Sequence, residues 1–410
     1  MSTYFSYIPT KNVKNVNKHA ALDLIRFTPG GISRVQLAQR MNLTRAALTV
    51  IVNDLMESGV IRETNSRLSN AGRPAITLEI NPQSGFVAAV DMGATHLSIL
   101  VANCAAHVIA EKEVPFNIAD GPVVCLDQAD TLLRETVKLA GIELSDLLAI
   151  GVGVPGPIMS EAGMVVAPPI MPGWDRYPIR TTLEKRWNCS VSLNNDAELG
   201  AVGEWAYGAA RSAANLAYIK VGTGVGAGLL LDGHIYRGAT GSAGEIGHLT
   251  IDPNGTLCTC GNRGCLETFA SGTAIARLAR EAVAKNQPTQ LAQIKRDQIT
   301  AKNVADEARR GDLTAQQIIA EAGAQLGVAL AGLVNLINPN MVVVGGGVAQ
   351  IGDLFLEPVR REVKRRSLPG SVNTMQITTA LLGRRSIGMG ALVQAISIAL
   401  HRIADEKNLN

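Results

Sequence analysis

Hydrophobic positions along the chain follow two regimes that meet near residue 80. Before it they keep helical spacing. Residues 20–27 carry apolar side chains at intervals of three and four, and Pro29, Gly30 and Gly31 end the run. Ser33 stands where a hydroxyl caps the segment RVQLAQRM, a short turn follows around Asn42, and Thr44 caps RAALTVIVNDLMES, which Gly59 stops. Two capped helices about a short turn predict a helix-turn-helix. In the second of them Leu48, Ile51, Val52 and Leu55 share one face, the core face by its period. Arg45, Ala46, Thr49 and Asn53 then point outward, where the first turns of a recognition helix meet base edges, with Arg34 and Thr44 beside them. Residues 60–61 and 75–80 predict a hairpin whose tip, SRLSNAGRP, carries Arg67 and Arg73 into reach of a minor groove. The preceding stretch KNVKNVNKH is basic and predicts an arm toward the same polyanion. A helical hairpin with no DNA role is the bland alternative for the two helices alone; the wing and the arm favour a DNA-binding module over residues 1–80.

From Gly85 onward the pattern changes to short apolar strands separated by glycines. A strand at residues 87–90 runs into Asp91, Met92, Gly93, Ala94 and Thr95 and then a second strand, LSILVAN. About 125 residues later LAYIKV runs into Gly222, Thr223 and Gly224 and then AGLLLDG. Two hairpins of one design imply a duplicated α/β domain of two actin-like lobes over residues 85–400. Turns of small residues let backbone N–H groups close around an anion, so Asp91, Gly93, Thr95, Gly222, Thr223 and Gly224 are candidate phosphate-loop residues. Taken singly, each is equally a tight turn.

The strongest chemical signal lies between them. In GEIGHLTIDPNGTLCTCGNRGCLE, His248, Cys258, Cys260 and Cys265 bring one imidazole and three thiols into a glycine-rich loop, flanked by the carboxylates Glu245 and Glu267. A Cys3His set suits tetrahedral Zn2+ with every position filled, which is a structural site that performs no chemistry itself. The spacing H-x9-C-x-C-x4-C is not that of a DNA-binding finger, whose second ligand pair lies on a helix.

These residues carry a resemblance. The GEIGH and CLE motifs around the cysteines, the paired glycine hairpins, GVGVPGPI at residues 151–158, and the order ISRVQLAQ, LTRAALTVIVNDL and GRPA resemble the ROK family of bacterial repressors and sugar kinases across essentially the whole chain. The resemblance implies an N-terminal winged helix-turn-helix followed by a ribonuclease H-like (actin-like) sugar-kinase fold with a zinc loop. It implies that Asn195, Asp196, Glu245, His248 and Glu267 bind a sugar or sugar phosphate, and that Asp196 is the general base if the chain is a kinase. ATP and Mg2+ are implied only in that case. An Asp that opens a helix after a strand is otherwise read as an N-cap. Two positions depart from the kinase pattern: Glu198 stands where the family's kinases usually carry Asn, and His96 where they usually carry Lys.

Composition narrows the choice. The formal charge of +3 over 410 residues is too small for wholesale polyanion binding, so DNA contact must be local. Aromatics at 4% argue against a base-stacking module for single strands. No apolar run in the sequence suggests a membrane span and the start lacks a signal-peptide core, which predicts a cytoplasmic protein; Cys104, Cys125 and Cys189 read as core thiols in a reducing compartment. Two functions remain: a sugar-responsive repressor released from a double-stranded operator by its ligand, working as a homodimer or homotetramer, and an ATP-dependent hexose kinase. The N-terminal module favours the repressor, since a kinase has no use for it. An actin-like filament former has no use for a zinc-braced Glu/His cluster.

Overall fold

The computed structural model describes residues 13–66, 75–159, 162–166, 168, 170–211 and 213–406. Helix α1 (Val13–Phe27) opens the N-terminal module, followed by α2 (Arg34–Met41) and α3 (Arg45–Glu57). Ser33 and Gln36 form a reciprocal capping box on α2, and the Thr44 hydroxyl accepts the Ala47 N–H on α3, as the sequence predicts. Strands β1 (Ile61–Ser66) and β2 (Ala75–Ile80) pair antiparallel from Ile61 opposite Ile80 to Ser66 opposite Ala75. Arg67 and Arg73, at the expected wing tip, lie outside the described residues.

Two lobes follow. In the first, β3 (Phe86–Met92), β4 (His96–Asn103), β5 (Val108–Pro115), α4 (Pro122–Leu139) and β6 (Leu147–Val154) lead to the short hairpin β7 (Ile158–Met159) and β8 (Met164–Val165), then α5 (Ile179–Trp187), β9 (Ser190–Asn195) and α6 (Asp196–Tyr207). The second runs β10 (Leu216–Val221), β11 (Val225–Leu231), β12 (His234–Ile235), α7 (Glu267–Ala270), α8 (Gly272–Ala284), α9 (Ala301–Arg309), α10 (Leu313–Ile337), β13 (Met341–Gly345), α11 (Asp353–Arg366), α12 (Pro369–Val372) and β14 (Gln376–Thr379). Helix α13 (Ser386–Glu406) returns to the first lobe. The sheets are ordered β5-β4-β3-β6-β9 and β12-β11-β10-β13-β14. In each, the first three strands in sequence are antiparallel neighbours and the last two add in parallel, so the duplication read from the hairpins extends to the whole sheet.

Between the sheets lie α6 and α13. Every residue of α6 from Asp196 to Ala206 is buried. The two helices cross so closely that a Cβ on Gly390 would lie 1.8 Å from the Leu199 carbonyl oxygen, and one on Gly203 2.1 Å from that of Ser386. Glu204, fully buried, satisfies its charge there by accepting from the N–H groups of Ala209, Leu381 and Leu382 and from the Ser386 hydroxyl, at 2.7 to 3.0 Å.

The N-terminal module shares its core with this region. One apolar cluster runs from Leu22, Leu37, Leu48 and Leu78 into Val87 and Leu100 and on to Leu392 and Leu400 of α13. The described part of the basic stretch does not form a free arm. Residues 13–19 are the first turns of α1, with Lys18 and His19 buried: Lys18 pairs with Asp54 at 2.5 Å and donates to the Ala404 carbonyl, and His19 stacks on His401 with ring centroids 3.7 Å apart. Hydropathy also needs correction. Helices α10 and the α13 segment are long and apolar enough to span a membrane, yet the windows that qualify are 61% and 83% buried inside the protein, which makes them core helices. The run REVKRR lies on α11, with Glu362 receiving Arg365 and Arg366, a solvated face as expected.

The stacked histidines have a pH consequence. Burial lowers the affinity of His401 for a proton, with His19 and Arg26 adding to the effect, and pushes its pKa down to about 3. Burial also lowers that of His19, against the opposing charge of Asp405. The His401 ring therefore stays neutral in the fold and gains a proton on unfolding, so the stability it contributes is complete above about pH 6.5 and drains away as pH falls below it, and His19 is displaced in the same direction. One such histidine removes about 1.4 kcal/mol at pH 5.5. The thermal midpoint should therefore fall between pH 7.5 and pH 5.5, and His401→Phe, which keeps an aromatic ring on His19, should make the fall smaller.

Candidate ligand cleft and DNA-binding face

A cavity of about 990 Å3 lies between the lobes. Both hairpin turns reach it, with Ala94, Thr95 and His96 on one side and Gly222, Thr223 and Gly224 on the other, and Gly346 and Gly347 follow β13. Asp91 and Gly93 lie beneath the first turn and not on its wall. Asp91 is buried, with Oδ2 3.3 Å from Nε2 of His96. This contact raises the His96 pKa against the opposing effect of its burial. A Cβ on Gly93 would strike the His96 ring at 2.3 Å, so the glycine is what lets His96 fold back over Asp91. Gly224 has a parallel constraint: a Cβ there would lie 2.2 Å from Oε2 of Glu267, which accepts the Val225 N–H at 3.0 Å.

The carboxamide and carboxylates at the mouth of α6 are already engaged. Asn195, the last residue of β9, caps α6: its Oδ1 accepts from the N–H groups of Ala197 and Glu198, and its Nδ2 donates 2.9 Å to the Gly156 carbonyl. The N-cap position thus belongs to Asn195 and not to Asp196. Asp196, the first helical residue, meets the ammonium of Lys220 through Oδ2. Glu198 pairs with Arg237 at 3.1 Å, and its pKa is raised by burial in spite of that partner. Arg237 also donates to Asn194 at 3.4 Å. Lys220 and Arg237 went unnoticed in the sequence. A readable signal existed for the first, a lone charged residue in an otherwise apolar buried strand, LAYIKV.

Glu245, His248 and Glu267 converge on the same cavity as Asn195 and Asp196. Behind them the loop at residues 249–266 folds on itself: Leu266 donates to the Leu249 carbonyl, Cys258 N–H to Asn262, and Gly261 and Gly264 take positive φ of 90° and 63°. This brings one ligand atom from each of His248, Cys258, Cys260 and Cys265 within 4.8 Å of all the others. Sγ of Cys260 and Cys265 are 3.7 Å apart, and Sγ of Cys258 is 3.7 Å from Nδ1 of His248. Tetrahedral ligands at about 2.3 Å from a central ion would be separated by about 3.8 Å, so the donor set and its spacing fit a metal ion. Three thiols and an imidazole this close, in a loop with little apolar packing of its own, have no other evident reason to cluster.

On the N-terminal module, Arg45, Ala46, Thr49 and Asn53 are exposed on α3, and Thr44 is committed to its cap. Arg34 is less free than the sequence suggests. It is half-buried, bonded to Glu63 at 2.9 Å and to Asn53 at 3.2 Å, so it braces α2 against α3 and β1.

The ROK family profile matches residues 87–397, and one described as winged helix-turn-helix DNA-binding matches residues 22–62. A xylose repressor of Caldicellulosiruptor bescii is 31% identical over 386 residues, 94% of this chain and 96% of its own. Among solved structures, a ROK family transcriptional regulator described as a homolog of E. coli MLC superposes with a TM-score of 0.79 at 26% identity, covering 96% of this chain and 98% of the other. A ROK family glucokinase from Streptomyces griseus, solved with glucose and AMPPNP, gives 0.69 at 29% identity and covers 76% of this chain and 99% of its own. A winged helix-turn-helix set on a two-lobed, duplicated α/β domain, matched over most of its length, places this chain in the ROK family.

Proposed function

We propose that the chain is a sugar-responsive transcriptional repressor: residues 1–80 bind a double-stranded operator, and the cleft of residues 85–400 binds the sugar or sugar phosphate that releases it. The observation that carries this reading is the direct seating of the DNA-binding module on the two helices that leave the cleft. Arg26 of α1 donates to the Tyr207 hydroxyl at the end of α6, at 3.3 Å, and to Ser397 and the Val393 carbonyl of α13, both at 3.0 Å. Phe27 packs edge-on against Trp205 of α6 at 4.9 Å. The other end of α6 carries Asp196 and Glu198 into the cleft. Its 12 residues span about 18 Å, and their burial makes the helix move as one body.

In this reading Asn195, Asp196, Glu245, His248 and Glu267 bind sugar hydroxyls, and Zn2+ held by His248, Cys258, Cys260 and Cys265 fixes the loop that presents three of them. The turns at Thr95 and at Gly222, Thr223 and Gly224, with Asp91 and Gly93 shaping the first, suit an anionic ligand group. Arg45, Ala46, Thr49 and Asn53 face the major groove, and Arg67 and Arg73, which lie outside the described residues, are assigned to DNA contact from the sequence alone. Lobe closure on the sugar shifts α6, and α1 follows. Two modules must sit about one helical turn apart on an operator, so the repressor works as a homodimer or homotetramer in the cytoplasm. The glucokinase likeness supports the cleft's ligand class. ATP and Mg2+ belong to the kinase alternative, which leaves residues 1–80 without a purpose.

Two sets of measurements test this. Metal analysis of the purified protein should find about one zinc per chain, and Cys260→Ser should lose it together with sugar affinity, by about tenfold to a hundredfold. Retention of full zinc content in that variant would remove the ligand assignment. In mobility shifts, the bound sugar should weaken operator affinity about tenfold to a hundredfold, or about 1.4 to 2.8 kcal/mol of coupling. Glu245→Ala should stay on DNA whatever sugar is added, and Arg26→Ala should bind sugar and operator separately while losing most of the coupling. An operator affinity indifferent to every sugar that binds the cleft would sink the repressor reading.

A further inference from the structure

Lys220 has no role in the sugar-binding reading of the cleft, yet it lines that cleft against Asp196. It is the penultimate residue of β10, two before Gly222 of the turn, and its neighbours Ile219 and Val221 are buried aliphatic residues. Its side chain is 17% exposed, and its ammonium touches Oδ2 of Asp196. Burying an ammonium is unfavourable unless carboxylates surround it. Burial does push the Lys220 pKa down, but Asp196 and then Asp91 outweigh it, and the net direction is upward. The ammonium therefore persists at neutral pH, in a site that also holds His96 on Asp91.

Binding and proton removal make different demands on Asp196. A sugar hydroxyl donates a hydrogen bond to a carboxylate oxygen, which Oδ1 can accept with Oδ2 on the ammonium. Phosphoryl transfer asks for more. The hydroxyl oxygen attacks the γ-phosphorus of a nucleoside triphosphate, the bond from that phosphorus to the bridging oxygen breaks to release the diphosphate, and the hydroxyl proton must pass to the carboxylate. An ammonium already bonded to that carboxylate opposes the arrival of the proton and occupies one of its two oxygens. Glu198, one turn along α6, is likewise paired, with Arg237, and offers no substitute.

We propose that Lys220 is the residue that makes this cleft a sensor: it lets Asp196 hold a sugar hydroxyl while preventing Asp196 from acting as the base that would phosphorylate it. The proposal rests on the sugar-binding reading of the cleft. It gives the repressor a simple advantage, since a ligand that is not consumed reports its own concentration. Lys220 acts through Asp196, and is a positioning residue.

The test uses the full-length protein with D-glucose, D-xylose and N-acetylglucosamine as probes. Calorimetry first identifies which of them binds the wild type. With that sugar and MgATP, the wild type should show no ADP release above the sugar-free background. Lys220→Met, which keeps the length of the stem without the charge, should raise sugar-dependent ADP release on the order of a hundredfold above that background. Lys220→Gln, which retains a donor to Asp196, should do the same and serves if the Met variant does not fold. Lys220→Arg should remain silent, and adding Asp196→Asn to either active variant should abolish the gain. Sugar-dependent turnover in the wild type equal to that of Lys220→Gln overturns the proposal, as does a Lys220→Gln protein that binds sugar and stays silent. Absence of any sugar binding in the wild type strikes the underlying reading of the cleft instead, so the two failures are told apart.

Discussion

The crossing of α6 and α13 is the contact on which the rest of the molecule depends. Gly203 and Gly390 let the two backbones touch, with no room for a Cβ on either side. Glu204 then ties the crossing to the segment that leads into α13 through three donors, Leu381, Leu382 and Ser386, and to the chain just after α6 through the Ala209 N–H. Burying that charge is tolerable only because every donor is in place. Helices fastened in this way have few intermediate positions. A displacement of α6 at the cleft must be taken up by α13 or by the module seated on both, and the seat is α1.

This arrangement explains why the N-terminal module lacks a core wholly its own. A winged domain on a flexible tether would bind DNA equally well with the cleft open or closed, and no ligand could move it. Here Leu22, Leu37 and Leu48 belong to the same apolar cluster as Leu392 and Leu400, and the polar contacts of Lys18, His19 and Arg26 fix the register between α1 and α13. Lys18 and His19, which read as part of a DNA arm, are used instead to join the two halves. Their burial is invisible to a count of charges, because the partner that buries them, residues 393–405, lies at the far end of the chain.

That separation describes what sequence could and could not disclose. Ser33 and Thr44 cap helices through neighbours three residues away, and the glycine hairpins repeat within one lobe each, so local chemistry was enough to find them. The Cys3His cluster was legible because all four ligands sit within a single loop. Lys220 and Asp196, Arg237 and Glu198, and His19 and His401 are pairs made by topology: each partner alone looks like an ordinary strand, turn or helix residue. Asn195 shows the intermediate case. Its neighbour Asp196 is as good a cap by residue type, and only the backbone geometry at the end of β9 decides that Asn195 takes the helix N–H groups and leaves Asp196 facing Lys220.

The loop that carries the Cys3His cluster completes the same logic at the opposite wall of the cleft. Residues 249–266 contain few apolar side chains that could hold them in shape, and a loop of that kind pays a large entropic cost to be ordered. The Cys3His set, whose donor chemistry and spacing fit a metal ion, is the candidate to replace the missing core. His248 joins that cluster through Nδ1 while also lining the cavity, and Glu267 follows Cys265 by two residues and braces the turn before β11. The cavity wall and the glycine turn thus meet at one loop. With buried α6 on one side and the Cys3His loop on the other, a ligand in the cavity touches both walls at once, which is what lets it favour one arrangement of the two over another.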